Sequence, residues 1–408
     1  MRRTSVNPNL EEQCLRRFNR ALILAFAILV MANPIAVMAA PTKRDVIVGF
    51  SVTCLDASGG AVLHPGATLP TVSNTFSIAN VLNTTDAWID ADLLLPFTVL
   101  KDNISAWVQD LQVTEVSDPG YGGFLAKSQA ENATLTASGY AVSTLNMVNG
   151  TTEINSTILV DFIISLQRTN ATEYPDTLGG FADTINSTAT VAATFLAIQI
   201  LDIYEELSQI NSSLAIAWLN SSQILDPPSS PSYGGFTNGW NSSTADLQTT
   251  FMALWSLETL GSLSIIDQTA AINYILPNYR DDINYPQYYV GFGLAPDDPV
   301  ATHLATYYSI AALQILGADD QLSAEDITSW ILSTQTLDGG FADSPQQTGF
   351  APQTNFAVSS LAALDQLETL LLPFSADLYV FPWWIVGIVV IVLIIVIFVI
   401  AARRSDWF

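Results

Sequence analysis

Apolar residues spaced three and four apart alternate along this chain with short polar interruptions, and the alternation is regular. Thr194-Phe195 running to Leu201, Thr250-Phe251 running to Leu257 and Thr306-Tyr307 running to Leu313 each open on an aromatic residue and carry one apolar stripe, which predicts buried helices. Between them, residues 152–168, 211–224, 264–275 and 323–335 predict a second set of helices, with Ser323-Ala324-Glu325-Asp326 as a helix start. The punctuation is nearly the same each time: Tyr121-Gly122-Gly123-Phe124, Leu178-Gly179-Gly180-Phe181, Tyr233-Gly234-Gly235-Phe236, Val290-Gly291-Phe292 and Asp338-Gly339-Gly340-Phe341. The phenylalanines recur at steps of 49 to 57 residues, and a degenerate copy, Gly59-Gly60, stands 63 residues before Gly122. Such a repeat predicts an all-α array of five or six helical hairpins, the paired glycines making a turn too close-packed for a β-carbon.

The two ends read differently. Residues 1–20 carry Arg2, Arg3, Arg16, Arg17 and Arg20, followed by the apolar run Ala21 to Met31 and the small residues Ala36 to Ala40. That order predicts a signal peptide, or an uncleaved signal anchor, over residues 1–40. Residues 383–402 contain no charge, follow Phe381-Pro382 and end at Arg403-Arg404, which predicts one transmembrane helix. The expected layout is a toroid at 45–370 outside the cell, a linker at 371–382, the span at 383–402 and a cytoplasmic tail at 403–408. The expected location is therefore the cell membrane, with the lipid bilayer as a partner.

Charge sharpens that picture. The 408 residues hold 38 Asp and Glu against 13 Lys and Arg, a formal net charge of −25, and between residues 45 and 380 the only basic residues are Lys101, Lys127, Arg168 and Arg280. A chain so poor in cations is not expected to bind nucleic acid. Ten Asn-x-Ser/Thr sequons, at Asn83, Asn103, Asn132, Asn149, Asn155, Asn170, Asn186, Asn211, Asn220 and Asn241, are glycan acceptors if the chain is exported. Cys54 stands alone in the expected toroid, without a disulfide partner there, and reads as a small buried hydrophobe.

The repeated Gly-Gly-Phe, a variable loop, and Thr followed by an aromatic at the head of an alanine- and leucine-rich helix resemble the prenyltransferase β-subunit and terpenoid-cyclase superfamily over residues 50–368. The resemblance implies an α/α toroid: inner helices ring a cavity that holds an isoprenoid or similar apolar chain, and outer helices pack around them. It also implies where a zinc site would lie. The stretch Asp246-Leu247-Gln248 falls where that family has Asp-x-Cys, and Gln353-Thr354-Asn355-Phe356 falls where it has a ligating histidine. Glutamine replaces the thiolate and the imidazole, so neither zinc nor another cofactor is expected. The cyclases' Asp-x-Asp-Asp acid is likewise not matched in register.

Candidate cavity residues are Asp246, Gln248, Phe251, His303, Tyr307 and Gln353. His303 opens the helix His303-Leu304-Ala305-Thr306-Tyr307-Tyr308, where it is expected either to face the cavity as a headgroup ligand or general acid, or to bond within the rim. Three functions stay open: a toroid that binds an apolar or isoprenoid-like ligand or a surface protein partner without zinc catalysis; an isoprenoid-processing enzyme of the prenyltransferase or terpenoid-cyclase type; and a structural cell-surface glycoprotein.

Overall fold

Thirteen helices carry the repeat in the computed structural model, which describes residues 41–95, 100–281, 290–294, 300–343 and 348–374. They are α1 (Lys43–Cys54), α2 (Val72–Thr84), α3 (Trp88–Leu94), α4 (Leu100–Gln109), α5 (Leu135–Val148), α6 (Ser156–Ser165), α7 (Val191–Ile203), α8 (Ser212–Ser221), α9 (Leu247–Thr259), α10 (Gln268–Ile275), α11 (His303–Ile315), α12 (Ala324–Ser333) and α13 (Ala351–Ala363). The chain divides into two compact units, residues 43–372 and the two termini together. In the terminal unit, the Phe374 N–H donates to the Pro41 carbonyl at 2.8 Å.

Within residues 43–372, α2, α5, α7, α9, α11 and α13 pack side by side in that order, and α13 packs back on α2. The six inner helices therefore close a ring, and the remaining helices lie outside it. Each inner helix starts where the chain turns from extended to helical. At five of the six starts the side chain of Thr71, Thr134, Thr190, Asp246 or Thr302 accepts the N–H three residues on, which satisfies one of the first turn's free donors. Outer helices α6, α8, α10 and α12 are capped in the same way by Asn155, Asn211, Asp267 and Ser323.

The seams between hairpins explain the glycines. Gly234 sits at φ +91°, and a β-carbon there would lie 2.0 Å from the Ala270 carbonyl oxygen in the first turn of α10. Gly339 stands in the same relation to the Val46 carbonyl of α1, and so joins the last repeat to the first. At four of the six seams a glutamine, Gln112, Gln167, Gln223 or Gln335, ties the turn again. The Gln223 amide donates to the carbonyls of Gly234 and Asp267 while its oxygen accepts the Asp267 N–H, and Gln335 donates to Gly339 and Lys43 across the ring closure. The phenylalanines that end the repeated words, Phe124, Phe181, Phe236, Phe292 and Phe341, are fully buried, each burial contributing roughly 1.5–3 kcal/mol.

Two expectations are refined and one is overturned. The hairpins number six, because the degenerate Gly59-Gly60 copy forms a genuine seam against the Asn103 carbonyl of α4. The fold is not purely helical: Phe124–Leu125 pairs with Ala133–Thr134, Phe181–Ala182 with Ala189–Thr190, and Tyr279–Asp281 with Val290–Phe292, as antiparallel ribbons. These two- and three-residue strands are too short to show an alternating pattern in sequence. The expected placement as a single-pass cell-membrane protein with its toroid outside is also corrected. No helix among the described residues is long and apolar enough to cross a membrane, and the segments 1–40 and 383–402 that carried the expectation lie outside the described residues. Of the ten sequon asparagines, nine are exposed and Asn103 is half-buried; Asn155 and Asn211 spend their side chains on helix caps.

Candidate functional site

One hydrogen bond, made six times, sets the register of the inner wall. The hydroxyls of Thr75, Ser138, Thr194, Thr250, Thr306 and Thr354 accept the N–H groups of Ala61, Phe124, Phe181, Phe236, Phe292 and Phe341 at 2.8–3.1 Å. Each bond fixes the rotation of its helix, so the next one or two residues point toward the middle of the ring. There stand Phe76 of α2, Tyr140 of α5, Phe195 of α7, Phe251 of α9, Tyr307 and Tyr308 of α11 and Phe356 of α13.

These side chains form an aromatic belt inside the ring of helices. Ring centroids are 6.0 Å apart for Phe195 and Phe251, 5.3 Å for Phe251 and Tyr308, 5.5 Å for Tyr308 and Phe356, and 5.3 Å for Phe76 and Tyr140. Separations in this range suit the tilted and edge-on contacts that aromatic quadrupoles favour. Phe195, Phe251 and Tyr308 are only 9, 8 and 8 % exposed, whereas Tyr307, Phe356 and Trp255 keep more accessible surface. Tyr140 and Tyr308, on helices three places apart in the ring, are close enough to interact electrostatically. Burial pushes the phenols of Tyr140, Tyr307 and Tyr308 above their ordinary range, so they stay protonated donors at any physiological pH.

One helical turn beyond the belt, α2, α5, α7 and α13 carry polar, uncharged side chains, whereas α9 and α11 carry Trp255 and Ala311. The Asn80 amide donates to Asn355 Oδ1 at 2.6 Å and to Ser359 Oγ at 3.1 Å, joining α2 to α13. Ser143 of α5 donates to Gln199 Oε1 of α7 at 3.5 Å.

The zinc positions do not fit a metal. Asp246 is the cap of α9: Oδ1 accepts the Thr249 N–H and Oδ2 the Thr249 hydroxyl, both at 2.7 Å. Its counterparts on four other inner helices are threonines, which shows the position's local duty. Gln248 donates to the Tyr308 hydroxyl at 3.3 Å, and Gln353 sits half-buried in the first turn of α13. Among the described residues, no three of His, Cys, Asp and Glu are grouped to hold a metal ion.

His303 lies within the rim. It is fully buried against Trp330 of α12 and Phe341, with ring centroids 4.8 and 5.9 Å away. Its Nε2 faces the Ala342 carbonyl at 3.3 Å and the Thr334 hydroxyl at 2.9 Å, and that hydroxyl donates to Ile331. A carbonyl only accepts, so Nε2 carries the proton and the buried Nδ1 is left bare. Burial pulls the imidazole down to about 4, against the opposing pull of the Asp343 charge and the Ala342 bond. Of the expected cavity residues, Phe251 and Tyr307 lie in this aromatic belt, and Tyr140, Tyr308 and Asn80, which also lie on the inner face, are not among them. The threonine before the aromatic is visible in the sequence as part of the repeat, but the bond its hydroxyl accepts from the glycine word's phenylalanine N–H is not. Cys54 is buried, and burial together with the Asp338 charge pushes its thiol up to about 12.

Comparison with known proteins agrees with this geometry. The family model of the prenyltransferase alpha-alpha toroid domain matches residues 9–172, 171–288 and 299–372. The chain is similar to the geranylgeranyl transferase type-2 subunit beta of Saccharomyces cerevisiae, 26% identical over 202 residues, covering 48% of this chain and 57% of that protein. It is similar too to the geranylgeranyl transferase type-1 subunit beta of Arabidopsis thaliana, 32% identical over 177 residues, covering 40% and 43%. The chain thus spans about half the length of the curated relatives it matches. The solved Candida albicans protein geranylgeranyltransferase-I complexed with GGPP superposes with a TM-score of 0.58 at 17% identity, over 73% of this chain and 86% of that one.

Proposed function

Because the chain belongs to the prenyltransferase alpha-alpha toroid family, we propose that its lumen binds an apolar, isoprenoid-like chain against the aromatic belt and does so without zinc chemistry. The observation that carries this reading is the belt itself, contributed by all six inner helices and facing a wall of hydroxyls and amides. Aromatic rings give a long hydrocarbon large contact area at little entropic cost, and the neutral phenols and amides beyond them are suited to orienting one polar end. The family's transfer chemistry lacks its metal ligands here, since Asp246 is committed to its helix cap and Gln248 and Gln353 offer only amides.

A titration of the full chain with a dansyl-labelled geranylgeraniol tests the reading. Phe356→Ala, which opens the belt, changes affinity at least about threefold, roughly 0.6–0.7 kcal/mol. Trp240→Ala, at a position 54 % exposed outside the belt, leaves affinity unchanged. No saturable binding, or equal effects from both substitutions, refutes it. A second reading, a toroid packed shut as a structural unit or protein-docking body, is favoured by the near-complete burial of Phe195, Phe251 and Tyr308. It predicts no saturable binding at all.

A further inference from the structure

The inner wall has a charge character of its own. From end to end, α2, α5, α7, α9, α11 and α13 contain no lysine and no arginine. Their one histidine, His303, is buried in the rim against Trp330. The cations of the described residues are on outer helices, in loops or, for Arg280, in the Tyr279–Asp281 ribbon. Arg44 pairs with Asp90 at 2.7 Å, Lys101 lies over the Trp88 ring, and Arg168 is buried with its guanidinium donating to the carbonyls of Ile185 and Ser187. At the opposite end of the inner helices, where the carbonyl dipoles point out, Asp202 and Glu258 add negative charge.

Resting on the reading above, that the lumen holds an isoprenoid-like chain, we infer that its ligand is uncharged: a prenyl alcohol, or a similar apolar chain ending in a hydroxyl or carbonyl, and not a prenyl diphosphate. A diphosphate brought into this lumen loses its hydration and meets no cation. A buried anion is tolerated only where it is paired or heavily hydrogen-bonded by charged donors. A hydroxyl or carbonyl merely exchanges water for the partners on offer, which are Asn80, Ser143, Gln199, Ser359 and the protonated phenols of Tyr140 and Tyr308. The protein's net charge of −25 acts in the same direction on any anion approaching from solution.

Two probes with the same C20 chain isolate the head group. Geranylgeraniol and geranylgeranyl diphosphate are each used to displace the dansyl-labelled alcohol from the full chain, at about 150 mM salt so that long-range charge is screened. The alcohol binds at least about 100-fold more tightly, a difference of about 2.7 kcal/mol. Gln199→Arg, which places one guanidinium in the polar belt, narrows the ratio at least about tenfold by strengthening diphosphate binding. Diphosphate binding as tight as the alcohol's in the unaltered chain overturns this inference while leaving lumen binding intact. Failure of both probes, with no saturable binding of the labelled alcohol, overturns the lumen reading and this inference with it.

Discussion

Substituting Gly234 by alanine isolates the seam that defines the fold. Two costs are added. A φ of +91° is disfavoured for an L-residue by about 1–2 kcal/mol, and the new β-carbon would lie 2.0 Å from the Ala270 carbonyl oxygen and 2.4 Å from its carbon. Both atoms are backbone, so relief requires α10 to move away from the turn, an overpacking strain of about 1–3 kcal/mol. Gly66 supplies the control: it shares a φ of +91° but has nothing within 4 Å of where a β-carbon would stand, so Gly66→Ala carries only the conformational cost. In urea denaturation of the full chain, Gly234→Ala lowers stability by about 2–5 kcal/mol and Gly66→Ala by about 1–2 kcal/mol. If Gly66→Ala costs as much as Gly234→Ala, the close approach of turn to helix is not what the glycine serves, and the seam explanation fails.

Thr250→Val keeps the side-chain shape but leaves the buried Phe236 N–H without its acceptor, and lowers stability by about 1–3 kcal/mol in the same denaturation assay. Asp246→Thr, which restores the cap used by four other inner helices, stays within about 0.5 kcal/mol of the original, whereas Asp246→Ala costs about 1 kcal/mol; a larger loss with threonine would point to a duty beyond capping. His303 binds its proton less well folded, at about 4, than unfolded, near its ordinary 6.5. Between those values the unfolded state takes up more protons, so this contribution is intact above about pH 6.5 and is lost as pH falls toward 4; His303→Gln flattens that part of the stability profile, and an unchanged profile refutes the assignment. Cys54 resists iodoacetamide at pH 8 in the native chain and reacts once denatured, as read by peptide mapping; native labelling would contradict its burial.

The hairpin array is legible in the sequence because its punctuation repeats: at Gly59, Gly122, Gly179, Gly234 and Gly339 a β-carbon would strike a neighbouring helix's backbone, and one copy departs from the rule, with Val290 at that place. The closure with six hairpins is not legible, since the Gly59-Gly60 copy is followed by Ala61 instead of phenylalanine and keeps its identity through the Thr75 bond. The lumen is half legible. Phe251 and Tyr307 follow their threonines into the aromatic belt, but His303 stands three residues before Thr306 on the same helix, where a rotation of roughly 300° turns it toward α12. By resemblance Asp246 reads as a remnant metal ligand. Set beside Thr71, Thr134, Thr190 and Thr302 of the chain's own repeats, it reads as a cap. The short ribbons leave no periodic trace, and the ends of the chain give a membrane reading that the described helices do not bear out.

Native mass spectrometry of the full chain as purified from its own source tests the central claim most directly. Binding of an apolar ligand without zinc predicts a protein ion free of zinc that carries a co-purifying neutral isoprenoid or similar lipid, released when the ion is activated. Stoichiometric zinc, lost on Asp246→Ala, would contradict the account and restore the family's transfer chemistry, and an ion with neither zinc nor lipid would leave the closed, structural toroid in its place.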